Sequence, residues 1–354
     1  MWDAWMRRAL ALAALADGHT SPNPLVGAVV LDQHGCLVGE GFHARAGEPH
    51  AEVGALAQAG DRAKGGTLVV TLEPCCHHGR TPPCSEAVLR AGITRVVIAL
   101  KDPDPRVAGG GIAQLRAAGL EVISGVLQTE ATFQNRAFLH RVRTGRPWGT
   151  LKWAMGLDGR TALTNGESQW ISGPTAREWV YRLRSKSDAV IVGGGTVRTD
   201  NPLLTSRGRR IPEPLRVVLS RSMELPATAQ LWDTTLAPTL VAHGPESKER
   251  PFPSGPDRLL LPTSEPEPLM KELALRGCNR VLWECGPELA AAAIRQGCIQ
   301  DVAVVVAPKL MGGLPARTPL GDLGLTAMDQ VAAGSLLSPE QLGSDWLFQF
   351  RLTA

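Results

Sequence analysis

His50 and Glu52 stand two residues apart, and Cys75, Cys76 and Cys84 follow them. One imidazole and two thiolates can hold a zinc ion. Three protein ligands leave its fourth position open, where water becomes acidic enough to act as a nucleophile near neutral pH. Glu52 is badly spaced to share that metal with His50, but well spaced to handle a proton beside it. Plainer readings compete: the cysteines can be core residues, or can build a structural zinc site with His77 or His78. A structural site usually draws four protein ligands from two short pairs and has no use for Glu52. The residue types favour catalytic zinc.

The elements that must position these residues point the same way. The apolar run 68–72 predicts a buried strand ending just before Glu73. Residues 51–59 and 84–92 read as helices, which puts His50 and Cys84 at helix N-termini, where the backbone dipole favours thiolate over thiol. Further on, 96–100 predicts a strand, 109–119 a glycine-bounded helix and 120–125 another strand. This alternation implies a mainly parallel sheet with helices on both faces and ligands beyond the strand C-termini. Asp102 and Asp104 follow one such end, and either touch substrate or cap the turn. The spacing H-x-E followed by P-C is the grammar of zinc deaminases acting on nucleobases, with the glutamate as acid/base. Here the second pair is C-x8-C instead of C-x-x-C.

Composition narrows the class. The chain has 354 residues, 44% of them hydrophobic and 20% charged, which suits two cores. A net charge of +3, a single tyrosine and 5% aromatics argue against nucleic acid as partner. Seven cysteines, several inside the metal motif, suit a reducing cytoplasm. Arg7 and Arg8 before the apolar stretch 9–16 imitate an export signal, but Trp5, Ala9, Leu12 and Ala16 share a helical face that Gly18 would stop. No run of 18 apolar residues exists, so no membrane span is expected.

The basic stretch 140–149 reads as helix-breaking and marks a domain boundary, giving domains 1–145 and 146–354. Strands are expected at 150–154, 188–192, 215–219, 239–242, 280–283 and 301–306, and 244–268 reads as an exposed connection. Residues 190–196 and 283–290 each run from a strand into a glycine turn. Such turns let backbone N–H groups approach a phosphate, so the pair suggests a nucleotide cofactor; they are also readable as tight turns with no ligand. There is no G-x-G-x-x-G fingerprint.

Three motifs, 21–27 (SPNPLVG), 47–52 (GEPHAE) and 71–84 (TLEPCCHHGRTPPC), resemble the deaminase half of the bifunctional RibD family of riboflavin biosynthesis. Four more, 151–160 (LKWAMGLDGR), 166–171 (GESQWI), 195–205 (GTVRTDNPLLT) and 284–287 (ECGP), resemble its reductase half. The resemblance implies an α/β protein: an N-terminal cytidine-deaminase-like three-layer α/β/α domain and a C-terminal dihydrofolate-reductase-like α/β domain. It implies one Zn2+ on His50, Cys75 and Cys84, with Glu52 as proton shuttle and Asn23 on the pyrimidine. From its residues alone Asn23 is equally a turn residue between two prolines. For NADPH it implies Ala154, Trp170, Thr196, Asp200 and the run Gly286, Pro287, Glu288, Leu289, Ala290, Ala291 and Ala292, with Arg221 for the 2′-phosphate. For the phosphosugar it implies Ser168, Arg184, Leu204, Arg207 and Glu284, with Lys152 and Asp200 organising proton transfer.

The chain departs from the family at Cys76 and Gly156, where serine is usual, and at Asn201, where aspartate is common. The implied activity is zinc-dependent deamination of a phosphoribosylaminopyrimidine, then NADPH-dependent reduction of its ribosyl group, in a cytoplasmic homo-oligomer. The alternatives are a deaminase with a non-catalytic C-terminal domain, a nucleic-acid deaminase and a structural zinc protein.

Overall fold

The computed structural model describes residues 2–76, 82–103, 109–248, 254–314 and 317–352. The chain divides into two compact units, Met1–Thr144 and Gly145–Ala354. Among the described residues no helix is long and apolar enough to cross a membrane.

The first unit runs α1 (Asp3–Ala14), β1 (Gly27–Leu31), β2 (Leu37–Phe42), α2 (Ala51–Ala59), β3 (Thr67–Leu72), α3 (Cys84–Arg90), β4 (Arg95–Leu100), α4 (Gly110–Ala117), β5 (Glu121–Ser124), α5 (Gln128–Gln134) and α6 (Arg136–Thr144). Its sheet has the order β2-β1-β3-β4-β5. Strands β3, β4 and β5 are parallel, as expected. Strand β1 is antiparallel to both neighbours, an exception to the mainly parallel sheet that the strand–helix alternation implies. Every residue of β1 and β3 is buried, so both faces of the sheet are covered.

Small residues let the helices sit close. A Cβ on Gly41 would lie 2.3 Å from the Ala51 carbonyl oxygen, and one on Gly39 would lie 2.1 Å from that of Ala55. Helix α2 therefore rests directly on β2, and this contact fixes where His50 and Glu52 stand. The buried residues of α1 are Met6, Ala9 and Ala13; of the expected face Ala9 is buried, Ala16 is buried just past the helix, and the larger Trp5 and Leu12 pack half-buried at the edge of the core. Helix α6 continues through His140 to Thr144, so the expected helix-breaking boundary shrinks to the short link before Trp148.

The second unit runs β6 (Trp148–Gly156), α7 (Pro174–Ser185), β7 (Ala189–Gly193), α8 (Gly194–Asp200), β8 (Leu215–Leu219), β9 (Thr239–His243), β10 (Asp257–Leu260), α9 (Pro266–Leu275), β11 (Arg280–Trp283), α10 (Pro287–Arg295), β12 (Asp301–Ala307), β13 (Gly334–Leu336), β14 (Glu340–Leu342) and β15 (Asp345–Leu352). Its sheet has the order β10-β9-β8-β7-β11-β6-β12-β15-β13, with β14 on β15. From β10 to β12 the pairings are parallel, and β15 runs antiparallel to β12. The expected connection 244–268 contains β10 and the start of α9, whose Pro266 suits a first helical turn.

Candidate active sites

In the first unit, His50 is the N-cap of α2 and Cys84 opens α3. The His50 Nδ1 lies 3.1 Å from Cys84 Sγ and 3.7 Å from Cys75 Sγ, and the three ligand atoms fall within 4.8 Å of one another. Zinc bond lengths in a tetrahedral site put such ligands roughly 3.6–3.8 Å apart. The set fits zinc with small adjustment. The Cys75 thiol is held low, at about 4, by its hydrogen bond with Cys84 and the nearby His50, against burial. Cys84 is pushed up by the same hydrogen bond and then by burial, so the two thiols act as a coupled pair.

Glu52 sits in the first turn of α2, is 3% exposed, and its Oε2 has no hydrogen-bond partner among the described residues. Burial pushes its carboxyl up to about 7. A buried carboxyl oxygen left unpaired beside three metal-ligating groups is a site prepared for a further molecule. Cys76 is not among the clustered ligands; its Sγ would meet a Cβ on Gly110 at 2.7 Å. His77, His78 and Asp104 lie outside the described residues.

Two residues here were missed from sequence. Glu73 accepts backbone N–H groups from Asp102, Gly109 and Ile112, tying the metal loop to the start of α4. His43, buried at the end of the β2 segment, lies with Nε2 2.9 Å from Asn23 Nδ2 and Nδ1 3.2 Å from the Pro49 carbonyl. Its ring stands edge-on to His50 at 5.4 Å. Neither residue belongs to a spacing pattern that would single it out.

In the second unit β7 and β11 pair; β7 runs directly into α8, capped by Gly193, and β11 leads through residues 284–286 into α10, capped by Gly286 with Pro287 in its first turn. Both N-termini border a cavity of about 420 Å³. Of the residues expected at the cofactor, Ala154, Thr196, Asp200, Gly286, Pro287, Glu288 and Leu289 line it. So do Ser168 and Glu284, expected at the substrate, and Ser168 Oγ donates to Asp200 Oδ1 at 3.2 Å. A second cavity of about 990 Å³ shares Gly193, Gly195, Glu288 and Leu289 with the first, and Arg221 and Ala292 line it.

Other expected residues fall elsewhere. Ala290 and Ala291 line neither cavity; one step along α10 past Leu289 turns them into the core. Trp170 lines neither and is 61% exposed, with the Arg177 guanidinium 4.6 Å from its ring. Leu204 is buried in the core around β7 and β8. Arg207 lies 5.6 Å from the ring of Tyr181, the chain's single tyrosine, with Arg209 at 5.2 Å and Arg184 at 5.8 Å.

Arg184 presents no free fork to a phosphate. Its Nε and Nη2 donate to Glu284 at 2.6 and 3.1 Å, and Nη1 donates to the Thr205 carbonyl. Lys152 Nζ lies 3.8 Å from the same carboxylate. Burial alone would raise the Glu284 carboxyl, but Arg184 and Lys152 outweigh it and hold it below its ordinary range. Burial pushes the Lys152 ammonium down, with Glu284 opposing.

The departures at 156 and 201 have local reasons. A Cβ on Gly156 would come within 2.7 Å of both Asp158 Oδ1 and the Lys309 carbonyl. Asn201 ends α8 in the left-handed region, which asparagine tolerates, and its Oδ1 accepts from the Gln230 N–H. Thr161 and Arg317–Pro319 line the smaller cavity without any signal in sequence.

Residues 2–100 match the model of the cytidine and deoxycytidylate deaminase zinc-binding region, and residues 147–348 match that of the RibD C-terminal domain. The riboflavin biosynthesis protein RibD of Synechocystis sp. is 50% identical over 97% of this chain and 94% of its own length. That of Aquifex aeolicus is 41% identical over 98% and 97%. RibD of Acinetobacter baumannii superposes with a TM-score of 0.90 at 39% identity, covering 99% of both chains. A Thermotoga maritima structure described as a diaminohydroxyphosphoribosylaminopyrimidine deaminase/5-amino-6-(5-phosphoribosylamino)uracil reductase superposes at 0.89 and 34%, again over 99% of both. With the metal cluster at one end of one sheet and the glycine-capped cavity at the end of the other, this chain belongs to the RibD family, the bifunctional deaminase-reductases of riboflavin biosynthesis that use zinc and NADPH.

Proposed function

We propose that residues 1–145 form a zinc-dependent pyrimidine deaminase domain and 146–354 an NADPH-dependent reductase domain. Together they convert 2,5-diamino-6-(5-phosphoribosylamino)pyrimidin-4(3H)-one, first by hydrolytic loss of its amino group and then by reduction of its ribosyl group to ribityl. The observation that carries the first half is the buried Oε2 of Glu52, without a hydrogen-bond partner among the described residues, beside His50, Cys75 and Cys84. Zinc held by those three residues supplies the Lewis acidity that makes water nucleophilic at neutral pH. Glu52 takes the water proton, hands it to the ring nitrogen, and then helps the amino group leave as ammonia. Asn23, backed by His43, orients the pyrimidine.

In the second half NADPH supplies the reducing hydride. Gly286 and Gly193 open helices whose N–H groups suit its phosphates. Arg221 stands on the larger cavity for the 2′-phosphate. Asp200, held by Ser168, and Lys152, beside Glu284, handle protons at the ribosyl carbon. Arg207 takes the substrate phosphate, while Arg184 orients Glu284.

Two finer readings go with this. Seven cysteines, several of them clustered in the metal motif, support a reducing cytoplasm. The family resemblance supports a homo-oligomer, which sedimentation analysis would measure. The central test offers the protein the diaminopyrimidinone, following ammonia and then NADPH absorbance. Ammonia followed by NADPH oxidation is expected; ammonia without oxidation would leave the C-terminal half non-catalytic.

A further inference from the structure

Helices α5 and α6 lie outside the matched zinc-binding region and carry none of the metal-site residues. Asn135 stands at the junction between them, as the C-cap of α5, and is 2% exposed. Its Oδ1 accepts the Leu25 backbone N–H at 2.8 Å, and its Nδ2 donates to the Leu25 carbonyl at 2.9 Å. The side chain thus pairs both polar groups of one residue across 110 positions of sequence, as a neighbouring strand would. Six residues further on, Arg141 Nη2 donates to the Pro22 carbonyl at 2.7 Å. The two contacts grip the chain on either side of Asn23.

We propose that Asn135 is a positioning residue of the deaminase: it holds the loop that presents Asn23 to the pyrimidine. The proposal rests on the reading of Asn23 given above. The chemistry is specific to an amide of this length. An N–H and a carbonyl of the same residue demand one acceptor and one donor side by side, and asparagine supplies both. A buried peptide group losing either bond goes unpaired, so the loop would leave its place. Asn23 Nδ2 would then lose its 2.9 Å contact with His43 Nε2, and with it the orientation that contact sets. His50, Cys75 and Cys84 stand on other elements, so the metal ligands would stay.

The test is Asn135→Asp, which keeps the size and the acceptor but loses the donor. Deaminase KM should rise about tenfold, with kcat nearly unchanged, as for binding lost equally in ground and transition states. Zinc content should remain full, and NADPH oxidation with the deaminated substrate should be untouched. Asn23→Ala should raise KM as well, and the double variant should be no worse than Asn23→Ala alone, because Asn135 acts through Asn23. An unchanged KM in Asn135→Asp, additive effects in the double variant, or loss of zinc alongside the KM change would each overturn the proposal. An unchanged KM in Asn23→Ala would instead bring down the reading of Asn23, and the proposal with it. Should Asn135→Asp fail to fold, Arg141→Ala decides: a rise in KM of about threefold is expected, and no rise refutes the brace.

Discussion

The two units solve the same problem, placing polar groups at the end of a sheet, in opposite ways. In the first unit the chemistry is concentrated: His50, Glu52, Cys75 and Cys84 leave neighbouring element ends and meet directly. In the second it is dispersed, from Ala154 to Pro319, and the buried cations Lys152 and Arg184 share the single carboxylate of Glu284. A metal site needs few ligands at short range. A dinucleotide and a phosphosugar need a long surface, which only distant segments can provide.

Breaking the concentrated site should have the largest effect. Zinc removal by chelation, or Cys84→Ser, is expected to abolish ammonia release while NADPH oxidation with deaminated substrate continues; parallel loss of both would mean that the sites are not independent. Glu52→Gln should lower deaminase kcat by about 10²–10⁴ with zinc content intact. Metal analysis checks this, since zinc loss would make Glu52 a ligand.

The dispersed site should fail through stability. Glu284→Gln leaves Arg184 and Lys152 buried beside a neutral partner, at a cost of about 3–5 kcal/mol to the second unit by denaturant unfolding. The same carboxyl carries a pH signature. Its folded value lies below the ordinary 4.5, so its stabilisation is complete above that pH and is lost as pH falls through the folded value. The variant should lack this share of the acid limb, and an unchanged limb would remove Glu284 from it.

Smaller effects sharpen the contrast. Gly41→Val forces α2 off β2 and should cost about 1–3 kcal/mol, with weaker zinc retention measured by chelator competition. Arg221 is 72% exposed at its side chain and pairs with Glu265 at 3.3 Å on the surface, so Arg221→Ala should leave stability unchanged. It should raise the KM for NADPH severalfold while leaving that for NADH alone; equal changes would free the 2′-phosphate role for another residue.

Much of this contrast is legible in the sequence. The strand ending at Leu72 and the helices opening at Ala51 and Cys84 followed from apolar runs and punctuation. Strands β1 and β2 did not, because their pairing is antiparallel and part of β2 is glycine that makes room for a helix. The family resemblance puts Arg184 at the phosphosugar, but tertiary packing brings a carboxylate to its guanidinium fork first. Ala290 and Ala291 went with a motif whose helical turn sends them inward.

The sequence by itself offered the candidate metal ligands, the candidate acid/base glutamate and the two glycine turns, since residue type and local spacing set what such groups can do. Only the tertiary structure decided which remote side chains hold them: Asn135 on Leu25, Glu73 on the start of α4, Arg184 on Glu284. A hydrogen bond or ion pair between distant segments leaves no periodicity behind. It exists because folding removes water from both partners, and each buried polar group must then find the other.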